Sequence, residues 1–107
     1  MRVLLALLLL CVPALARDPT LVWSPSPTEG VVGYKVYYGT ASRNYSTVLY
    51  AGLMLDYTVK GLDGATRYYF AVTAYTSDGE SDFSNEVSAI PNELGMKPAP
   101  PTSLQIK

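Results

Sequence analysis

An antiparallel β-sandwich is the fold this sequence predicts, and three observations predict it. Segments in which apolar and polar residues alternate recur between Thr20 and Ile90. Turn-forming Gly, Pro, Asp and Asn residues separate them at short intervals, and no stretch carries the helical period of about 3.6 residues. The alternating segments are rich in tyrosine and β-branched residues, as half-buried strands are. Six short strands of this kind close into two facing sheets.

The first residues precede that domain. Met1-Arg2 is a short positive start, and Val3 to Val12 is an unbroken apolar run. Pro13 ends any helix, and Ala14-Leu15-Ala16 places small residues where a signal peptidase reads. Residues 1–16 therefore read as a secretory signal peptide cleaved after Ala16. A membrane-spanning helix needs about 20 apolar residues in a row, more than this run supplies, so the protein is not expected to be membrane-embedded. Cys11, the one cysteine, lies inside the leader, with Leu10 where an acylated anchor would want a small residue. The exported domain is left without a disulfide, and its core must suffice alone. Residues 17–107 carry seven basic against nine acidic residues and no basic stripe, which argues against a nucleic-acid partner. The expected location is outside the cell, in the periplasm or at the cell surface.

The strands follow in order. Thr20-Leu21-Val22-Trp23 places Leu21 and Trp23 on one face. Two prolines within Ser24 to Gly30 remove backbone donors and end it. Gly33 to Gly39 directs Tyr34, Val36 and Tyr38 inward, and Lys35 and Tyr37 outward. Thr40 to Asn44 is a polar turn, and Tyr45 to Tyr50 forms the third strand. Leu55 to Lys60 alternates again, with Tyr57 and Val59 leaning the same way as Leu62. Gly61 and Asp63-Gly64 reverse the chain before the strongest run, Tyr68 to Tyr75. There Tyr68, Phe70 and Val72 face inward and Tyr69 and Tyr75 outward. Ser77 to Asp82 is expected to be a loop, and Asn85 to Ile90 a last strand with Val87 and Ala89 inward, stopped by Pro91. The predicted core is Leu21, Trp23, Tyr34, Val36, Tyr38, Leu62, Tyr68, Phe70 and Val72. A one-residue slip would expose Trp23, Tyr34, Phe70 and Val72 together, so the register is strongly specified. Trp23 is the largest contributor: a buried aromatic covers about 150–250 Å², worth roughly 4–6 kcal/mol before entropy.

From Leu21 to Pro91 the chain resembles the fibronectin type III domain, particularly the form common in bacterial secreted proteins. The resemblance rests on an ordered set: Leu-Val-Trp before a proline loop, Gly-Tyr-Lys-Val-Tyr-Tyr-Gly, Tyr-Thr-Val-Lys-Gly-Leu, Thr-Arg-Tyr-Tyr-Phe-Ala-Val-Thr-Ala-Tyr, and Ser-Asn-Glu-Val-Ser-Ala-Ile-Pro. It implies an immunoglobulin-like sandwich with strands B, C, C′, E, F and G over residues 17–91. It also implies a tyrosine corner at Tyr68, whose phenol would bond to a nearby backbone group. Two departures stand out. Gly64-Ala65 occupies the place of the family's usual Pro-Gly, so that turn should be less rigid. Strand A is missing, since only Arg17, Asp18 and Pro19 precede strand B, and an unpaired edge results. Residues 92–107 form a proline-containing tail in which Ser103-Leu104-Gln105-Ile106 alternates as a strand A would. Three readings of it stay open: a disordered tail, the start of a further domain, or a strand pairing with its own edge or a neighbour's, giving a homo-oligomer.

Nothing in the sequence commits to catalysis. Histidine is absent, and no cysteine survives processing. Those absences eliminate the common nucleophile–base pairs and most metal sites, so no cofactor and no enzyme is expected. Asp78, Glu80 and Asp82 alternate in a loop, which reads better as a solvated turn than as a calcium cage of six to eight oxygens. The candidate ligand surface is Tyr37, Tyr69 and Tyr75, outward-facing on two strands; the competing reading is plain cross-strand packing. The expected role is a secreted binding or spacer module for a protein or a polysaccharide. The alternatives are a subunit that oligomerises by exchanging its C-terminal strand, and an accessory domain of a polysaccharide-degrading enzyme.

Overall fold

The structure is a computed structural model and describes residues 18–94. The leader and the Ser103–Ile106 segment lie outside the described residues. Among the described residues seven strands follow one another: β1 (Thr20–Val22), β2 (Gly33–Gly39), β3 (Thr47–Gly52), β4 (Asp56–Thr58), β5 (Tyr68–Thr76), β6 (Gly79–Glu80) and β7 (Val87–Ala89), then a 3-10 turn, Pro91–Glu93. β1 and β4 pair as a two-stranded sheet. The second sheet runs β3-β2-β5-β6, with β7 also on β5, and every pairing is antiparallel. Two antiparallel sheets with a shared apolar interior make the sandwich that the alternation predicts.

β2 and β5, the segments with the cleanest alternation, form its spine, with seven Cα partners from Gly33↔Tyr75 to Gly39↔Tyr69. Their inward residues meet in register, Val36 opposite Val72 and Tyr38 opposite Phe70. Val36, Val59 and Phe70 are fully buried. Leu21, Trp23, Tyr38, Leu62, Tyr68 and Val72 pack half-buried against them, and Tyr34 is buried with its ring 5.8 Å from that of Trp23. The buried Trp23 Nε1–H finds no acceptor among the described residues.

The loop before β5 is fixed by side chains. The Asp63 N–H donates to the Tyr68 hydroxyl at 2.9 Å, which is the tyrosine corner. The Asp63 carboxylate in turn accepts from Ala65 N–H (3.2 Å) and Thr66 Oγ1 (2.6 Å), and Asn92 N–H donates to the Gly64 carbonyl at 2.8 Å. An Asx turn and a tether to the 3-10 turn thus hold the Gly64-Ala65 turn where a rigid Pro-Gly would otherwise act.

Three expectations need correction. Ser77 to Asp82 is not all loop: Thr76↔Gly79 closes a hairpin, and Glu80 pairs with Tyr75. The last strand is shorter than Asn85 to Ile90, because Ser81 and Ser84 interrupt the ladder along β5. Their N–H groups donate to Ala74 and Val72 carbonyls (2.8 and 2.9 Å), while their hydroxyls accept the Ala74 and Val72 N–H groups (both 2.9 Å). Two serine side chains thus do the work of backbone acceptors. Val87 does not point into a closed core; it stays 47% exposed, because the two-stranded sheet is too narrow to cover β7. Pro91 stops the strand by starting a helical turn, at the position where its missing N–H costs nothing.

Candidate interaction surface

The outer face of the larger sheet is built from the odd-numbered residues of β2 and β5. Cross-strand pairing sets Tyr37 beside Ala71, Lys35 beside Thr73, Gly39 beside Tyr69 and Gly33 beside Tyr75. On the other flank Tyr37 faces Val48 and Lys35 faces Tyr50. All three predicted surface tyrosines therefore lie on one face, but not as one cluster. Tyr37 joins Tyr45 and Phe83, with Phe83 edge-on to both rings at 4.9 and 5.2 Å. Tyr75 meets Tyr50 edge-on at 6.3 Å, and Lys35 Nζ sits 5.1 Å from the first ring and 5.4 Å from the second. Tyr69 stands apart, opposite Gly39 and Ser88.

Glu80 ties the two groups together. Its carboxylate accepts from the Tyr37 hydroxyl, from Thr73 Oγ1 at 2.7 Å, and from Lys35 Nζ at 3.3 Å. These donors, Tyr37 foremost, hold the carboxyl of Glu80 below its usual range. The same bond raises the Tyr37 phenol, and Glu80 raises Lys35. Thr73, buried in the sheet, is satisfied by this carboxylate. Both oxygens of Glu80 are thereby committed, and the loop acid that sequence offers as a calcium ligand is instead a strut of the sheet.

A second carboxylate braces the neighbouring edge. Glu86 accepts from Ser42 Oγ (2.6 Å), Arg43 N–H (2.8 Å) and the Tyr45 hydroxyl (2.5 Å). Arg43 adopts φ 62°, a left-handed conformation unusual for a side-chain-bearing residue, and the bond to its N–H helps hold it there. Burial, then the bond to Glu86, pushes Tyr45 up to about 12; Ser42 and Tyr45 hold Glu86 below its usual range.

Tyr45, Tyr50, Phe83 and Glu86 escape a sequence reading as members of this face, and Glu80 is legible only as part of a solvated turn. Phe83 and Glu86 sit in a stretch without periodicity, and their partners lie some forty residues away. The one available signal was the outward parity of Tyr50 within its own strand. Among the described residues no three His, Cys, Asp or Glu side chains converge as metal ligands, and no helix is long and apolar enough to cross a membrane. The face offers pinned carboxylates, hydroxyls and half-exposed rings, with a shallow hollow between Tyr37, Arg43, Glu80 and Phe83.

A family model described as fibronectin type III domain matches residues 12–90. The chain belongs to the fibronectin type III family. Domains of this family generally serve as binding or spacer modules in extracellular proteins and are typically non-catalytic. Among solved structures, this fibronectin type III chain is similar to the sixth fibronectin type III domain of human fibronectin type III domain containing protein 3. The TM-score is 0.56 and the identity 26%, over 82% of this chain and 80% of that one. A further fibronectin type-III domain of the same human protein gives a TM-score of 0.53 and 33% identity over 78% and 84% of the two chains. Curated relatives include a Kelch domain-containing protein of Saccharolobus solfataricus, 32% identical over 82% of this chain and 11% of that protein. Neogenin of Homo sapiens is 32% identical over 78% of this chain and 6% of its own length. Protein sidekick-2 of Gallus gallus is 30% identical over 71% and 4%. The chain thus spans about a tenth or less of the length of these relatives.

Proposed function

We propose that this chain is an exported, non-catalytic binding module whose outer aromatic face contacts another protein outside the cell. The reading is carried by six aromatic side chains gathered on one face, among which Tyr50 is 63% exposed and Phe83 46% exposed. Exposed aromatic rings, tyrosine among them, are enriched at the centres of protein contacts. A polysaccharide is the lesser reading because sugar rings stack on open, coplanar aromatic faces. Here the pairs are edge-on, at 88° for Tyr37 and Phe83 and 85° for Tyr50 and Tyr75. Export rests on the leader at residues 1–16.

The test compares the wild-type chain with the double variant Tyr50→Ser, Tyr69→Ser, which spares the Glu80 and Glu86 networks. Both are immobilised and challenged with proteins from the cell exterior and with a glycan array. Specific protein capture that the variant loses, at unchanged thermal stability, supports the proposal. Capture indifferent to the substitutions, or glycan binding alone, overturns it.

A further inference from the structure

Among the described residues β1 carries a free edge. The bonds Trp23 N–H to Leu55 O (3.0 Å) and Val59 N–H to Pro19 O (2.9 Å), with Leu21 opposite Tyr57, make the odd-numbered residues the ones that bond β4. In an antiparallel ladder the alternate residues then direct their N–H and C=O away from that partner. On β1 these are Thr20 and Val22, and among the described residues nothing pairs with them.

Beneath that edge the sandwich is open. The larger sheet extends past β1 to β7, and a groove of ≈ 440 Å³ lies between them, lined by Trp23, Phe70, Val72 and Val87 with Ser84 and Asn85. Val87 is 47% exposed there, and Val22, on the opposite face of β1, is 77% exposed. An unpaired edge above a partly apolar floor is the arrangement that takes up an added strand.

The chain itself holds a segment of the right pattern. Thr102-Ser103-Leu104-Gln105-Ile106 alternates, setting Leu104 and Ile106 on one face. The described chain leaves the sandwich beside Gly64, through the Asn92 bond, at the same end as Pro19 and Val59 where β1 begins. To run antiparallel on its own β1, the segment would first have to climb to the Trp23 end and then reverse. Pro98, Pro100 and Pro101 occupy that connection, and proline together with the residue before it favours extended backbone over a reversal. That composition disfavours folding back onto the same body.

We propose that Thr102–Ile106 of a second copy of this chain adds to the free edge of β1, seating Leu104 and Ile106 in the groove beside Trp23 and Val87. Reciprocal exchange closes a two-fold dimer. The contact does not involve the outer aromatic face, so its failure and that of the protein-binding reading are separable.

The experiment measures sedimentation equilibrium of the purified chain from about 1 to 200 μM, together with amide hydrogen exchange at Thr20 and Val22. Assembly with rising concentration is expected, accompanied by slowing of both amides by about tenfold or more. The double variant Leu104→Lys, Ile106→Lys, which alters only the segment beyond the described core, should stay monomeric with fast exchange. Adding a peptide of residues 100–107 should restore protection to it. A wild-type monomer with fast exchange at both amides overturns the proposal. So does protection in a concentration-independent monomer, which places the segment on its own edge, and so does a double variant that assembles like wild type.

Discussion

Ser84 and Val72 bond each other twice. The Ser84 N–H donates to the Val72 carbonyl at 2.9 Å, and the Val72 N–H donates to the Ser84 hydroxyl at 2.9 Å. A side chain thus completes a β-ladder where the backbone of the last strand departs from β5. Ser84→Ala removes one acceptor and leaves the Val72 N–H to whatever water reaches it. A loss of about 1 kcal/mol is expected, read as a lower urea midpoint at unchanged slope. Ser84→Thr, which keeps the hydroxyl, should recover most of it.

The indole of Trp23 packs on the core and against Tyr34, yet its Nε1–H is buried without an acceptor. The two properties pull in opposite directions. Trp23→Ala forfeits the packing and opens a cavity, for a loss of about 3–5 kcal/mol. Against a total stability of about 5–15 kcal/mol that is a large share, and it raises the unfolded fraction by about a hundredfold or more. Trp23→Phe keeps most of the apolar contact and also discards the unpaired donor, so it should cost only about 1–2 kcal/mol. Thermal unfolding of the two variants checks the contrast. Equal losses would mean that the indole nitrogen is satisfied in solution.

The Glu80 carboxylate gives the domain an acid-sensitive strut. Its bonds from Tyr37, Thr73 and Lys35 lower its folded-state pKa beneath the ordinary 4.5. A group depressed on folding contributes stability that is fully present above the unfolded value and is lost as pH falls through the folded one. Unfolding free energy should therefore hold steady from pH 7 to about 5 and decline below about 4.5. Tyr37→Phe removes the leading donor, which moves the folded pKa back toward the unfolded one and flattens that decline. Urea titrations at several pH values between 3 and 6 measure it, and an unchanged slope in Tyr37→Phe would assign the acid sensitivity to Glu86 or elsewhere.

Alternation identified the two spine strands. β2 is bounded in the structure as its sequence pattern bounds it, and β5 extends one residue further, to Thr76; parity alone did not show that Ala71 and Thr73, on the outer face of β5, are buried too. β6 left no such trace, since two residues, Gly79 and Glu80, are too short for a period and both are exposed. Val87 was misplaced for a related reason. Its parity is that of a core residue, but whether a core covers it depends on the width of the opposite sheet, which no local pattern encodes. The surface was only half legible. Parity put Tyr37, Tyr69 and Tyr75 on one face, but the partners that divide them, Phe83, Tyr45 and Glu80, come from loops and hairpins folded back from far along the chain.

Tyr45 should make the domain sensitive to alkali as well. Burial first, and then the hydrogen bond to Glu86, raise its phenol to about 12, whereas an unfolded tyrosine titrates near 10. A raised folded pKa contributes stability that is intact below the unfolded value and is lost as pH climbs through the folded one. The domain should therefore weaken between about pH 10 and 12 as the unfolded chain releases a proton that the native state retains. Absorbance at about 295 nm should resolve a late-titrating phenol that Tyr45→Phe removes. Glu86→Gln takes away the secondary cause only, so it should move that titration down part of the way and leave it above 10. A fall to the unperturbed value in Glu86→Gln would reverse the order of causes, making the carboxylate rather than burial the controlling influence.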